Sequence, residues 1–232
     1  MKKIMAIFLV CILILSVLTG CGDNPNPLEM TGKPSAIEVR LGGLKGPTSI
    51  GLVKLLDDAE KNKTENNYQF QMAAAADELT PSFLQGNLDI LAVPANLGSI
   101  LYHNSNGQVQ TIAICALGVS YIVEKGEESV SSILDLKGQT IYATGKGSTP
   151  EYALNFLLTQ NGLNPHSDVK VVWKNEPSEV VAQLTATDHA IAMLPQPFTT
   201  VAQNKISDLN IVLDLSAEWD ALDNGSKMIT SA

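Results

Sequence analysis

The chain has 232 residues, 45% hydrophobic and 17% charged, which suits a globular protein of one large or two small domains. Its formal charge of −9 argues against a nucleic-acid partner, because phosphate recognition needs clustered lysine and arginine. Arg40 is the only arginine, so a bidentate clamp on a carboxylate or phosphate has at most one candidate.

Residues 1–20 read as a leader. Lys2 and Lys3 give a basic start, and residues 4–18 are an apolar run. That run is short of the about 20 residues a spanning helix needs and suits a secretory signal. It ends at Leu18-Thr19-Gly20-Cys21, which resembles a bacterial lipobox. The resemblance implies cleavage before Cys21, a lipid on its thiol, and a globular part outside the cytoplasm, anchored to the cell membrane. Cys11 leaves with the leader, and Cys115 then stands alone in Ile112-Ala113-Ile114-Cys115-Ala116-Leu117, where a small core residue is expected. No internal disulfide and no cysteine metal site can form. Losing Lys2 and Lys3 leaves 13 basic against 24 acidic residues, a mature charge of about −11. Such a surface stays soluble beside an anionic membrane.

Residues 21–35, rich in Asn, Pro and Gly, read as a flexible tether. Ile37-Glu38-Val39-Arg40-Leu41 alternates as a strand, and Gly42-Gly43-Leu44-Lys45-Gly46-Pro47-Thr48 is a Gly-rich turn. Residues 49–60 read as one helix, with Ile50, Val53, Leu55 and Leu56 at helical spacing. A strand at 68–72, a small-residue loop at 73–77, a short helix at 80–85 and a buried strand at 88–93 follow. That strand ends at Pro94-Ala95-Asn96, and a helix at 97–103 comes next. Residues 109–123 form a long β-rich run interrupted at Leu117-Gly118-Val119-Ser120. Residues 133–138 read as a short helix and turn.

The strand Thr140-Ile141-Tyr142-Ala143 then leads into Gly145-Lys146-Gly147-Ser148-Thr149-Pro150 and a helix from Tyr152. Thr149 suits the N-cap and Pro150 the first helical position. Asn161-Gly162 closes this helix in the manner of a C-terminal glycine cap. A strand at 169–173, a helix at 178–185, a buried strand at 190–194 ending at Pro195-Gln196-Pro197, a helix at 198–203 and a strand at 209–215 complete the pattern. The order β, loop, α, β, α, β therefore occurs twice, and Thr48 to Thr149 and Pro94 to Pro195 share an offset of 101. The expected class is α/β, with two similar βαβαβ lobes facing a cleft. Ligands of such sheets bind outside the carboxyl ends of the strands.

On these residues the chain resembles the extracytoplasmic solute-binding proteins of ABC importers. Gly46-Pro47-Thr48, Gly86-Asn87-Leu88-Asp89-Ile90 running into Pro94-Ala95-Asn96, Asp135-Leu136-Lys137-Gly138, and Gly147-Ser148-Thr149-Pro150-Glu151-Tyr152-Ala153-Leu154 carry the resemblance. It is nearest to the nitrate, sulfonate, bicarbonate and thiamine-precursor branch of the type II binding proteins. The resemblance implies a monomeric clamp that takes a small solute and works with permease and ATPase subunits. It divides the chain into lobe 1 at 36–115, a crossover and hinge at 116–124, lobe 2 at 125–215, and the start of a return connection at 216–232. Family members usually continue beyond that point and finish with helices on the first lobe, so the chain reads as C-terminally truncated.

The expected site follows from the doubled loops. Two helix starts, at Thr48 and Thr149, offer free N–H groups and a partial positive charge. Lys45, Gly46 and Pro47 share the first of these loops, and Gly145, Lys146, Gly147, Ser148 and Pro150 the second. Pro94 and Asn96 end the third strand of the first lobe, and Gln196 is their counterpart in the second. Ala74 and Ala75 allow close approach to the backbone, and Gly118 marks the hinge. Tyr121, Tyr152 and Phe198 are candidates for stacking on a ring. Together these point to a small anionic or heteroaromatic solute.

No catalytic constellation is legible. There is no Gly-x-Ser-x-Gly elbow, and Gly145-Lys146-Gly147 lacks the Ser or Thr that follows a Walker lysine. Gly42-Gly43-Leu44-Lys45-Gly46 lacks dinucleotide spacing, and His103, His166 and His189 lack metal-ligand spacing. The chain is therefore expected to be no enzyme, with no cofactor and no metal. The other readings are a ligand-sensing module for a membrane receptor and, disfavoured by the lipobox, an enzyme like the thiamine-pyrimidine synthase of the same fold.

Overall fold

The computed structural model describes residues 36–232. The leader, Cys21 and the tether expected at 21–35 lie outside these residues.

In the first half, β1 (Glu38–Leu44) leads into two helical pieces, α1 (Pro47–Ile50) and α2 (Val53–Glu60). The single helix expected over 49–60 is broken around Gly51, a poor helix former. After β2 (Asn67–Ala73) comes a 3₁₀ turn (Ala76–Glu78), where the sequence reads as loop. The Glu78 carboxylate accepts the Ala74 and Ala75 N–H groups at 3.1 and 2.9 Å, which winds the turn. Then follow α3 (Thr80–Leu84), β3 (Ile90–Ala92) and α4 (Ala95–Asn104). The three strands make one parallel sheet in the order β2-β1-β3.

The long β-rich run yields only β4 (Ala116–Leu117) and β5 (Ser120–Lys125). Residues 109–115 carry no strand, and Ile112 is 76% exposed. A 3₁₀ turn (Ile133–Leu136) precedes β6 (Thr140–Thr144), α5 (Thr149–Gln160), β7 (Lys170–Lys174), α6 (Pro177–Ala186) and β8 (Ala190–Pro195). Next come α7 (Phe198–Lys205), β9 (Leu209–Asp214), α8 (Leu215–Ala221) and β10 (Ile229–Ser231). The second sheet has the order β7-β6-β8-β5-β9. Its β6, β7 and β8 are parallel, and β5 is antiparallel to both β8 and β9.

The fold is thus α/β with two βαβαβ lobes. Both lobes pair first strand with third in the same way, Leu41 against Ile90 and Ile141 against Ile191. In the second lobe, period-2 alternation sends neighbours to opposite faces: Ile122 and Met193 to one hydrophobic cluster, Val123 and Leu194 to the other. Within this sheet Glu124 is fully buried. Burial pushes its carboxyl upward, but bonds from Ser129, the Val130 N–H and His189 outweigh this and hold it below the usual range. The lobes are joined by two antiparallel strands, β4 and β10, and the backbones of Val93 and Ala232 exchange two 2.9 Å bonds beside them. The segment Ile37–Ala232 is one compact unit. Among the described residues no helix is long and apolar enough to cross a membrane.

Candidate functional site

All six parallel strands end at one cleft of about 490 Å³. In the first lobe Leu44, Ala74 and Pro94 stand at or just past the ends of β1, β2 and β3. In the second lobe Thr144, Lys174 and Pro195 close β6, β7 and β8. A cavity of this size suits a small molecule. The parallel topology explains the convergence: every strand runs toward the same edge, and every crossover helix begins there.

The helices α1, α4, α5 and α6 all start at the cleft, with Pro47, Asn96, Pro150 and Pro177 in its lining. Each start brings the positive end of a peptide dipole. The loop before α5 is built by Gly145 (φ 86°) and Gly147 (φ 73°), in the left-handed region that glycine enters without cost. A Cβ on Gly145 would also stand 2.9 Å from Pro150 Cγ. Ser148, not Thr149, is the N-cap residue, and its hydroxyl donates back to the Gly145 carbonyl at 2.8 Å instead of capping the helix. Thr149 is the first helical residue and Pro150 the second.

Of the sixteen expected ligand contacts, twelve line this cleft: Lys45, Pro47, Thr48, Ala74, Ala75, Pro94, Asn96, Gly145, Lys146, Gly147, Ser148 and Pro150. The other four are not in its lining. A Cβ on Gly46 would meet Phe198 at 3.6 Å. Gly118 packs against Ser216 and Met228 at the connection between the lobes. Gln196 accepts the Thr200 hydroxyl at 2.9 Å at the start of α7. Thr149 bonds to Asn96. Thr48 lines the cleft, but its hydroxyl donates inward to the Leu44 carbonyl at 3.0 Å.

The lining also holds Lys174, Asn175, Ser120 and Thr230, which sequence reasoning did not select. Asn175 is 101 residues after Ala74, so the doubled offset pointed to it. Thr230 arrives from β10, far along the chain, where no local pattern could reveal it. Among the described residues no tyrosine, phenylalanine or tryptophan lines the cleft, and Tyr121, Tyr152 and Phe198 are not in its lining. Three lysines line it: Lys45, Lys146 and Lys174. Lys45 pairs with Glu176 at 3.3 Å, and Lys174 touches the Gln183 amide at 3.4 Å. Lys146 has no hydrogen-bond partner among the described residues. Among the described residues Asp77 is the one acid in the lining.

Arg40 is committed elsewhere. It grips Asp89 through Nε and Nη2 at 2.9 and 2.6 Å, tying β1 to the approach of β3. The guanidinium bonds, with the Arg40 N–H, hold the Asp89 carboxyl down to about 2. Cys115 is half-buried, and burial pushes its thiol up. Among the described residues no three His, Cys, Asp or Glu side chains group as a metal site.

No protein-family model matches this chain, and none of the curated proteins does. Solved structures do. A crystal structure of an ABC transporter from Parabacteroides distasonis superposes with a TM-score of 0.64 at 23% identity, over 85% of this chain and 65% of that one. The periplasmic aliphatic sulphonate binding protein SsuA from Escherichia coli gives 0.59 at 18% identity, over 85% and 65%. A putative sulfonate ABC-transporter binding protein from Methylobacillus flagellatus gives 0.57 at 21%, over 84% and 60%. The chain shares the fold of these proteins and spans just under two thirds of the length of each.

Proposed function

We propose that this chain is the solute-binding component of an ABC importer, held at the membrane by a lipid on Cys21, and that its cleft takes a small anion. The observation that carries the reading is the convergence of six strand ends, four helix starts, Lys45, Lys146 and Lys174 on one cavity. The similar solved structures supply the transport context. A heteroaromatic solute is disfavoured, because among the described residues no aromatic side chain lines the cleft to stack on it. Hydroxyl and amide groups of Ser148, Asn175 and Thr230 would orient the ligand, and the lysines would supply charge. The permease and ATPase subunits are the partners in this reading, and no step of it is catalytic.

The test is a thermal-shift and calorimetric screen of sulfonates, nitrate, sulfate and bicarbonate, with pyrimidines and neutral amino acids as controls. A ligand at 100 times its dissociation constant adds about 2.7 kcal/mol to stability. Lys146→Ala should then weaken the responding anion at least tenfold. An anion screen with no response, or a response confined to pyrimidines, ends the anion reading. Cys21→Ala should release the protein from membranes; if it stays bound, the lipid anchor is wrong.

A further inference from the structure

Two polar bridges run between the lobes at the cleft. Asn96 stands in the first turn of α4 in the first lobe, while Gly147 lies in the loop before α5 and Thr149 is its first residue in the second. The Thr149 hydroxyl donates to Asn96 Oδ1 at 3.1 Å, and Asn96 Nδ2 donates to the Gly147 carbonyl at 3.4 Å. The Asn96 N–H also points at the Thr149 hydroxyl, at 3.5 Å. This pattern fixes which way the amide faces, because a flip would set Oδ1 against the Gly147 carbonyl, two acceptors face to face. The second bridge is the ion pair of Lys45 with Glu176 at 3.3 Å. Both of its side chains are a third or more exposed, so it contributes little by itself.

We propose that Asn96, Thr149 and the Gly147 carbonyl form a clasp that favours the closed arrangement of the lobes through protein groups alone. The proposal goes beyond the solute reading and stands whatever the cleft binds. Each bond joins one lobe to the other, so lobe separation breaks all of them at once and leaves their groups to water. Two such bonds shift the ratio of closed to open chains by about tenfold. A solute entering from solution therefore meets a population already biased toward closure and needs the clasp to part first. Asparagine is the required residue: aspartate at 96 has the same size but presents a charged acceptor to the Gly147 carbonyl.

The test is a distance measurement on the full chain in detergent micelles. Spin-labelled non-natural residues replace Lys63 and Gln203, both exposed and on different lobes. Pulsed spin resonance in buffer without added solute reads their separation. The unmodified site should give mainly the short distance. Asn96→Asp should move about tenfold in population ratio toward a longer one, and Thr149→Val, which leaves the Asn96–Gly147 bond in place, about threefold. Thr149→Ser, which keeps the hydroxyl, should resemble the parent, and Glu176→Gln should produce a smaller shift. If Asn96→Asp does not fold, as judged by its melting transition, Thr149→Val against Thr149→Ser decides. The clasp is overturned if a folded Asn96→Asp or Thr149→Val keeps the parental distances, or if the parent is already mainly open. A cleft that binds no anion leaves this readout unchanged, so the two ideas fail separately.

Discussion

The two lobes repeat one topology and differ in how well it is covered. In the second lobe, two hydrophobic clusters of seventeen and ten buried residues lie on opposite faces of the sheet, under α5 on one side and α6 and α7 on the other. In the first lobe the corresponding cluster has four: Leu44, Ala73, Leu79 and Leu88. Helix α2 buries no residue, and eleven of the sixteen exposed large hydrophobic side chains among the described residues lie in 37–117. The same strand-and-helix pattern therefore fixes pairing and site position in both lobes, while cohesion depends on what each face meets. The difference implies that the first lobe opens locally at lower free energy than the second.

The largest effect that probes this contrast is a core truncation in each lobe. Leu154 and Leu79 are both fully buried. Leu154→Ala, deep in the seventeen-residue cluster, should cost about 4 kcal/mol. Leu79→Ala should cost about 2–3 kcal/mol, because a thinly covered site collapses more readily around the lost atoms. Urea melts measure both, and hydrogen exchange shows whether amides of β1 exchange before those of β6. Equal costs and equal protection would mean that the lobes are equally cohesive.

The next effect lies where the lobes join. A Cβ on Gly118 would stand 2.0 Å from Ser216 Oγ and 2.6 Å from Met228 Cε. Gly118→Ala should therefore destabilise by about 1–3 kcal/mol, the usual cost of overpacking. Ser216→Gly in the same chain removes the nearest atoms and should restore part of the loss. A double variant no better than the single one would place the strain elsewhere.

How much of this contrast could be read beforehand is a matter of range. The elements were legible because they obey local rules: alternation in β1 and β6, glycine and proline punctuation in the loops, and repetition at an offset near 101. The offset is 100 from Leu41 to Ile141 and 101 from Ile90 to Ile191, so one residue is gained between the paired strands of the second lobe. The apolar run at 109–115 looked like a strand but carries none, and its one bond to a strand among the described residues, from the Cys115 N–H to Ser231 of β10, comes from the far end of the chain. Twelve of the expected contacts line the cleft because strand ends and the loops that follow them carry them. Thr149 and Asn96 were read as ligand contacts, and only their positions in space show that they bond each other. Coverage of the lobes is likewise a long-range property, invisible to periodicity.

Acid separates the lobes in another way. The folded pKa of Asp89, about 2, lies below its ordinary value, so its contribution is complete above about pH 4 and is lost as pH falls through 2. The loss should appear first in β1 and β3 of the first lobe, which the Arg40–Asp89 pair joins. Asp89→Asn should flatten this acid response, followed by hydrogen exchange between pH 4 and 2. An unchanged profile would assign the response to other carboxylates, Glu124 of the second lobe among them.

The smallest effect concerns a threonine hydroxyl that bonds back to a strand-end carbonyl in each lobe, after β1 in the first and after β8 in the second. Thr48 Oγ1 donates to the Leu44 carbonyl at 3.0 Å, and Thr199 Oγ1 to the Leu194 carbonyl at 3.2 Å. In the first lobe Ser49 Oγ also reaches Leu44 O, at 2.6 Å. Thr48→Val leaves that carbonyl with its serine partner, so the loss should stay below about 0.5 kcal/mol. Thr199→Val is expected to cost about 1 kcal/mol, the usual net worth of one such bond. Thr48→Val with Ser49→Ala should cost more than the two single changes together, since only the pair strips the carbonyl of both hydroxyls. Strict additivity in a double-mutant cycle would mean that the two hydroxyls of the first lobe act independently, and that its cleft loop has no reserve the second lobe lacks.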